Sequence, residues 1–126
     1  MKQSKLARAY KVLNDLGQQR LPSMIAYKLF KLKKQLQPVW DFQVEQEQQI
    51  FEMYPPVQKE DNAFKFESPE QKKGFLDAFD ELNNMESDLE ITPINVPLLP
   101  EMRLSGNDLE ILEDLVFFTT DEPENP

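Results

Sequence analysis

Two groups of acidic side chains come closest, in residue type and spacing, to a reactive or metal-binding centre. Residues three and four apart share one face of a helix, so each group would place its carboxylates together. Carboxylate oxygens bind Mg²⁺ and Ca²⁺, and paired carboxylates serve as general acid and base. The two groups are Asp77, Asp80 and Glu81, and Glu110, Glu113 and Asp114. Neither has calcium-loop spacing, and single-sign clusters are common on solvated helix faces, so we predict no metal site and no catalytic pair.

Other reactive chemistry is limited by the amino acids that the sequence lacks. It contains no cysteine and no histidine. Thiolate nucleophiles, disulfides, the usual zinc ligands and the common general base near neutral pH are therefore missing. Three glycines leave no phosphate-binding loop, and no serine stands in a Ser-x-x-Lys motif that would supply a lysine base. We predict a protein that is not an enzyme and holds no cofactor.

Charge is distributed unevenly along the chain. Residues 1–34 contain nine basic side chains and one acidic one, whereas residues 35–126 contain five basic and 22 acidic ones, for a net charge of −9. In one interpretation the two parts lie against each other and their fields partly cancel. In the other, a basic face meets an acidic partner. The lysines that we identify as candidate partner contacts are Lys28, Lys31 and Lys34.

Nucleic acid enters as an alternative partner. Residues 1–34 could neutralise phosphates, and the acidic residues 60–126 could instead mimic DNA and inhibit a DNA-binding enzyme. Tyr27 and Phe30 lie among the lysines, but their helical spacing favours a place in the core over base stacking. We therefore place protein contact ahead of nucleic-acid binding.

Three aromatic residues of the middle region are further candidates for partner contact. Trp40, Phe42 and Phe51 flank the main apolar stripe of their helix without continuing it. We predict that these three aromatic residues belong to the core and are covered by residues 89–104. The alternative is an exposed aromatic patch for self-association or docking, because aromatic residues are enriched at interface hot spots.

Apolar residues at three- and four-residue steps predict a mainly α fold that forms a helical bundle. The first helix spans residues 4–16, and Gly17 follows where a left-handed residue often ends a helix. A second helix begins near Pro22, and Pro38 predicts a kink or a break in it. This helix is apolar on two faces, because Tyr27 and Phe30 lie opposite its main stripe, and each face needs a cover.

The central part of the sequence predicts a projecting helical hairpin. Residues 39–54 pair antiparallel with a helix over residues 69–87, whose start is indicated by Ser68 as cap. Alternation in residues 63–67 predicts a short strand. Residues 89–96 form either an edge strand, paired with the first, or a belt over the helices, because their prolines exclude a central strand.

The end of the sequence predicts one more helix and a tail. Ser105 or Asn107 can cap this last helix. Residues 1–118 are predicted to form a single domain, and the polar, acidic residues 119–126 a disordered tail. No stretch approaches the ~20 apolar residues of a membrane span, and the basic N-terminus is unlike a signal peptide, so we expect a cytoplasmic protein.

Four features in order resemble an uncharacterised family of small proteins from phages and prophages of Gram-positive bacteria, catalogued as a domain of unknown function. The features are a helix ending Leu13-Asn14-Asp15-Leu16, a Leu21-Pro22 before a lysine-rich helix, a glutamate- and glutamine-rich middle, and Leu104-Ser105-Gly106-Asn107-Asp108-Leu109-Glu110. Family members begin with a strand that Met1-Lys2-Gln3 is too short to supply. The resemblance implies a phage-encoded protein in the host cytoplasm. Our expectation is an assembly, chaperone-like or regulatory factor that contacts a phage or host protein and self-associates.

Overall fold

The structure is a computed structural model that describes residues 1–60 and 63–120. Those residues are mainly helical, with two small two-stranded sheets, so the predicted fold class is confirmed. The elements in chain order are α1 (Gln3–Gly17), α2 (Ser23–Met53), β1 (Gln58–Glu60), β2 (Ala63–Lys65), α3 (Pro69–Asn84), β3 (Ile94–Pro97), α4 (Gly106–Leu112) and β4 (Val116–Thr119). Of the predicted tail, Thr119 lies in β4, and residues 121–126 lie outside the described residues.

The main hydrophobic cluster forms where α1 packs against the first half of α2. Its members recur at three- and four-residue steps, so each helix turns one apolar face inward. Full burial of such a side chain stabilises the fold by roughly 1.5–3 kcal/mol. The leucines that are almost completely buried in these two helices are Leu6, Leu13, Leu16, Leu29, Leu32 and Leu36.

The first helix ends without the left-handed residue that we predicted at Gly17. Gly17 is the last residue of α1, and Gln18 after it has a right-handed φ of −81°. The amides of Gln18 and Gln19 instead donate to the carbonyls of Asp15 and Leu16, at 3.1 and 3.0 Å. These i to i+3 bonds tighten the last turn and satisfy terminal carbonyls, so no left-handed residue is needed.

The second helix continues through Pro38. The predicted break there is wrong, because α2 is one helix of 31 residues that begins directly after Pro22. Pro38 removes the amide that would bond the carbonyl of Lys34. Both residues are exposed, so water can bond that carbonyl, while the buried Leu36 and Val39 keep the inner face of the helix in place.

The predicted antiparallel hairpin is confirmed. Tyr54, at the end of α2, lies against Gly74 near the start of α3, and Gln46 lines the same surface depression as Met85 after the end of α3. A Cβ on Gly74 would lie 2.8 Å from Cζ of Tyr54, so any larger residue there would require the Tyr54 ring to move. Around the hairpin, Ile50, Phe75 and Leu82 form a second buried cluster.

The third helix starts as predicted and ends earlier. Ser68 Oγ accepts a hydrogen bond from the amide of Gln71 at 3.1 Å, which caps α3. The helix ends at Asn84, three residues before the predicted end, because the chain turns to meet the N-terminus. Gln3 N donates to Met85 O at 2.9 Å, and Ser87 N donates to Met1 O at 3.0 Å.

Two of the four strands lie in or overlap segments that we predicted as extended, because β2 falls within residues 63–67 and β3 begins within residues 89–96, whereas β1 and β4 were not predicted. β2 pairs antiparallel with β1, and β3 pairs parallel with β4, so the proposed pairing of residues 63–67 with residues 89–96 is wrong. The reason is that β2 and β3 pack on different hydrophobic clusters. Phe64 of β2 packs on the hairpin cluster, whereas Val96 of β3 is buried in the main cluster.

Candidate functional site

The two acidic groups were the candidates for metal binding. Among the residues that the structure describes, no group of three or more acidic side chains is arranged to hold a metal ion. Lys5 Nζ lies 2.8 Å from Asp114 Oδ2 and 3.6 Å from Glu113 Oε1. The hydrogen bond to Asp114 raises the pKa of Lys5, although partial burial opposes the shift. This acidic group therefore joins α4 to α1.

The outer side of α2 presents large apolar residues among lysines. Met24 is 72% exposed, and Tyr27 and Phe30 are each 57% exposed. We use the name α2 outer face for the exposed residues Met24, Tyr27, Lys28, Phe30, Lys31 and Lys34. Contiguous exposed apolar residues with a polar rim are typical of interaction sites.

The geometry of the helix explains why these side chains remain exposed. Ile25, Leu29 and Leu32 lie on one face of α2 and are buried against α1 and the rest of the main cluster. Tyr27 and Phe30 lie roughly opposite, and no described element covers them. The expectation that both apolar faces of this helix are covered is therefore wrong for the outer one, as is the assignment of these two aromatic residues to the core.

The lysines of the α2 outer face form no ion pairs with the acidic residues that the structure describes. Lys28 Nζ donates to the carbonyl of Asn95 at 3.2 Å, and Lys31 Nζ lies 5.5 Å from the centroid of the Tyr27 ring. Neither these lysines nor Lys34 forms an ion pair with an acidic residue in the described part of the chain. Among the basic groups of residues 1–34, ion pairs within the described residues are formed by the terminal amine of Met1 and by Lys5, both at the start of the chain.

A groove of about 370 Å³ runs beside the α2 outer face. Met24 and Tyr27 line it from α2, and Pro93 and Ile94 line it from the segment that leads into β3. Lys28 and Lys31 belong to the same lining, so basic residues border an apolar groove. Such a groove suits a partner whose apolar side chains are flanked by carboxylates.

The three aromatic candidates are half-buried within the fold. The Trp40 ring stacks on Tyr10 of α1, with centroids 5.1 Å apart and planes 18° apart. The Phe51 ring contacts Phe64, Phe75 and Phe79, with centroids 5.3 to 5.8 Å apart.

The segments that cover these aromatic side chains therefore differ from the predicted ones. The hairpin cluster that contains Phe42 and Phe51 includes no residue of 89–104, so the predicted cover is wrong for these two. Trp40 packs against the main cluster, to which residues 89–104 also contribute. A partner-binding role for Trp40, Phe42 and Phe51 stays a prediction.

The sequence-based interpretation missed Met24, Tyr27 and Phe30 as surface residues. The available signal was their place opposite the leucine stripe of a helix that is also rich in lysine. Of the predicted contact residues, the structure groups Lys28, Lys31 and Lys34 on one face and places the three aromatic residues elsewhere.

No protein-family model, curated protein or solved structure matches this chain. Among the described helices, none combines the length and the apolar character that crossing a membrane requires. Inferences about function therefore depend on the geometry of the α2 outer face.

Proposed function

We propose that this protein acts by non-catalytic contact and binds an acidic protein partner through the α2 outer face. The observation that supports this proposal is the combination of three lysines without acidic partners among the described residues and two aromatic rings that are more than half exposed. Burial of those rings would supply affinity, and the lysines would supply orientation and association rate.

The biological setting that we propose is a phage-encoded accessory protein in the host cytoplasm. The sequence resemblance to small phage and prophage proteins supports this setting. An assembly, chaperone-like or regulatory factor works by occupying a surface of another protein, and the α2 outer face has the required chemistry. Charged contacts at the edge of such an interface keep binding reversible.

Single-stranded nucleic acid is a second candidate partner, because Tyr27 and Phe30 are exposed among lysines. Aromatic rings on which bases stack, placed beside cations that meet phosphates, are typical of single-strand binding surfaces. Against this candidate stands the acidic remainder of the chain, with a net charge of −9 overall, because an extended polyanion brings many phosphates within the screening length of that surface. We therefore rank it below an acidic protein.

Photo-crosslinking tests the proposal. A photoreactive phenylalanine analogue at Phe30 should give a covalent adduct with a second protein in cells, and the adduct should disappear in Lys28→Glu/Lys31→Glu/Lys34→Glu. The matched control places the same analogue at Leu98, which is exposed but lies off α2. Equal adduct yields at positions 30 and 98 would contradict the proposal, as would an adduct whose crosslinked surface has no acidic residues.

Oligonucleotide titration separates the second candidate. A labelled single-stranded oligonucleotide should show no saturable binding to the purified chain at physiological salt. Binding that weakens steeply as salt rises, and that Tyr27→Ala abolishes, would favour the nucleic-acid function instead.

A further inference from the structure

An exposed stripe on α3 complements the α2 outer face in charge. Lys73, Leu76, Asp77 and Asp80 are all exposed, and the spacing i, i+3, i+4, i+7 places them on one face of α3. Leu76 is 49% exposed. Within the part of the chain that the structure describes, neither Asp77 nor Asp80 forms an ion pair. We use the name α3 stripe for these four residues.

Four residues of the α2 outer face have the same spacing. Tyr27, Phe30, Lys31 and Lys34 follow one another at i, i+3, i+4, i+7 and are also all exposed. An apolar residue occupies the second position of both sets. The third and fourth positions are lysines on α2 and aspartates on α3. Two helix faces with this spacing can pack side by side at a shallow crossing angle.

We propose that a second copy of this chain occupies the α2 outer face, which it contacts through its α3 stripe. In a parallel arrangement with Phe30 level with Leu76 along the helix axes, Lys34 lies opposite Asp80 of the second copy, and Lys31 lies at the same height as Asp77. Lys73 then lies opposite Tyr27, which allows a cation–π contact. Each of the four positions of one helix is thus level with a complementary residue on the other.

The opposite orientation is unfavourable for a specific reason. If Phe30 stays opposite Leu76 and the helices run antiparallel, Lys34 faces Lys72, and Asp80 faces Ala26. Two like charges are then placed together, and an aspartate loses its partner. Repulsion of this kind selects orientation in helix pairing.

The overall negative charge does not prevent this contact. At physiological ionic strength the screening length is ~8 Å, so distant charges contribute little and the facing side chains dominate. The two faces are different surfaces of one chain, so the interface is head-to-tail and produces rings or open chains of copies. Two short helix faces make a small interface, and we expect dissociation constants on the order of micromolar.

Sedimentation velocity of the full chain over a wide concentration range tests this inference. The wild-type protein should show mass that increases with concentration. Lys31→Asp/Lys34→Asp has two acidic faces, and Asp77→Lys/Asp80→Lys has two basic faces, so each variant alone should remain monomeric. An equimolar mixture of the two variants should associate again, because each face then meets its complement.

The controls separate charge from position and from folding. Arg8→Asp/Lys11→Asp makes the same change in net charge on exposed positions of α1 and should associate like the wild type. Circular dichroism should give equal helix content for all variants. A wild-type chain that stays monomeric throughout would overturn the inference. So would association that survives in either charge-reversed variant alone, or a mixture that remains monomeric.

This inference rests on the proposed role of the α2 outer face, and the two can fail separately. If the chain stays monomeric and position 30 still crosslinks to a different acidic protein, the inference of a second copy is wrong. The proposed function is then still supported. A chain that associates in the mixed-variant experiment, with position 30 crosslinking only to itself, supports the second copy as the acidic partner. If both experiments fail, both the proposed function and the inference of a second copy are contradicted.

Discussion

At the scale of single residues, two buried glutamines differ in what their amides contact. Gln3 Nε2 donates to the carbonyl of Val39 at 2.8 Å. Gln43 Nε2 donates to Glu47 Oε1 at 3.4 Å, and the buried Gln43 Oε1 has no partner within the described residues. The reverse amide orientation would place two oxygens together, so the unpaired atom is the carbonyl oxygen. Leaving such a group unpaired costs about 1–3 kcal/mol.

The two glutamines should therefore respond oppositely to the same substitution. Gln43→Met removes an unpaired polar group and should raise the free energy of unfolding by about 1 kcal/mol. Gln3→Met, the matched control, removes a satisfied hydrogen bond and should lower it by about 1 kcal/mol. Urea denaturation measures both values. A loss of stability in Gln43→Met would mean that a bound water or ligand pairs this oxygen.

At the scale of elements, α2 is the helix that the two hydrophobic clusters share. Its first half belongs to the main cluster, and Ile50 near its end belongs to the hairpin cluster. Pro38 lies between these parts without ending the helix. At the other side of α1, Lys5 forms ion pairs with Glu113 and Asp114, which follow the short α4.

Replacement of the proline should strengthen this shared helix. Pro38→Ala restores the amide that bonds Lys34 O and removes the ring, and a helix-interior proline costs ~3 kcal/mol relative to alanine. Because the fold has adapted to the proline, we expect a smaller gain of about 1–2 kcal/mol in the free energy of unfolding. Thermal and urea denaturation measure it. Unchanged or lower stability would indicate that a bend at Pro38 is needed to seat Val39 and Trp40.

The contact between α1 and α4 should be sensitive to alkaline pH. The pKa of Lys5 is raised from 10.5 in the folded chain, so its stabilising effect is complete below the unfolded pKa and disappears as pH rises through the folded pKa. Lys5→Gln should lack this loss. The difference in free energy of unfolding between wild type and variant should fall from about 0.3 kcal/mol near neutral pH towards zero once the pH exceeds the folded pKa. A constant difference across that range would contradict the assignment.

At the scale of the whole molecule, two hydrophobic clusters are joined by α2. They are also joined by the backbone hydrogen bonds between residues 1–3 and residues 85–87. The main cluster unites α1, the first half of α2 and the segments that surround β3 and β4. The hairpin cluster has a smaller buried core. Besides the bonds between the N-terminus and residues 85–87, Ser4 Oγ donates to Asn83 O at 3.0 Å. Elements with fewer buried contacts open at lower free energy.

A cavity-forming substitution should therefore accelerate hydrogen exchange over a smaller part of the fold in the hairpin cluster than in the main cluster. Phe75→Ala removes a ring that contacts Phe51, Phe64, Phe66 and Phe79, at a cost of about 3–5 kcal/mol. Hydrogen exchange should then accelerate in α3 and near Ile50 while α1 stays protected. Leu32→Ala, the control in the main cluster, should accelerate exchange throughout. Uniform acceleration in Phe75→Ala would show that the two clusters unfold as one unit.

The sequence by itself determined the local features of this protein. Helical period located the four helices, and Ser68 marked the start of α3. Of the two predicted caps for α4, Ser105 is the one that accepts a hydrogen bond from the amide of Asp108, at 3.0 Å. The absence of cysteine and histidine limited the available chemistry. Each depends on residues within about one turn or on composition alone, because helix bonds join residues four apart. The grouping of Lys28, Lys31 and Lys34 on one helix was predictable for the same reason.

Only the tertiary structure decided which surfaces remained open. The exposure of Tyr27 and Phe30, the pairing of β3 with β4, and the continuity of α2 through Pro38 all depend on what distant parts of the chain cover. An apolar stripe shows that a face gains free energy from burial, but it does not specify the element that buries it. That choice follows from the joint packing of all elements, and in this chain it leaves the α2 outer face and the α3 stripe exposed.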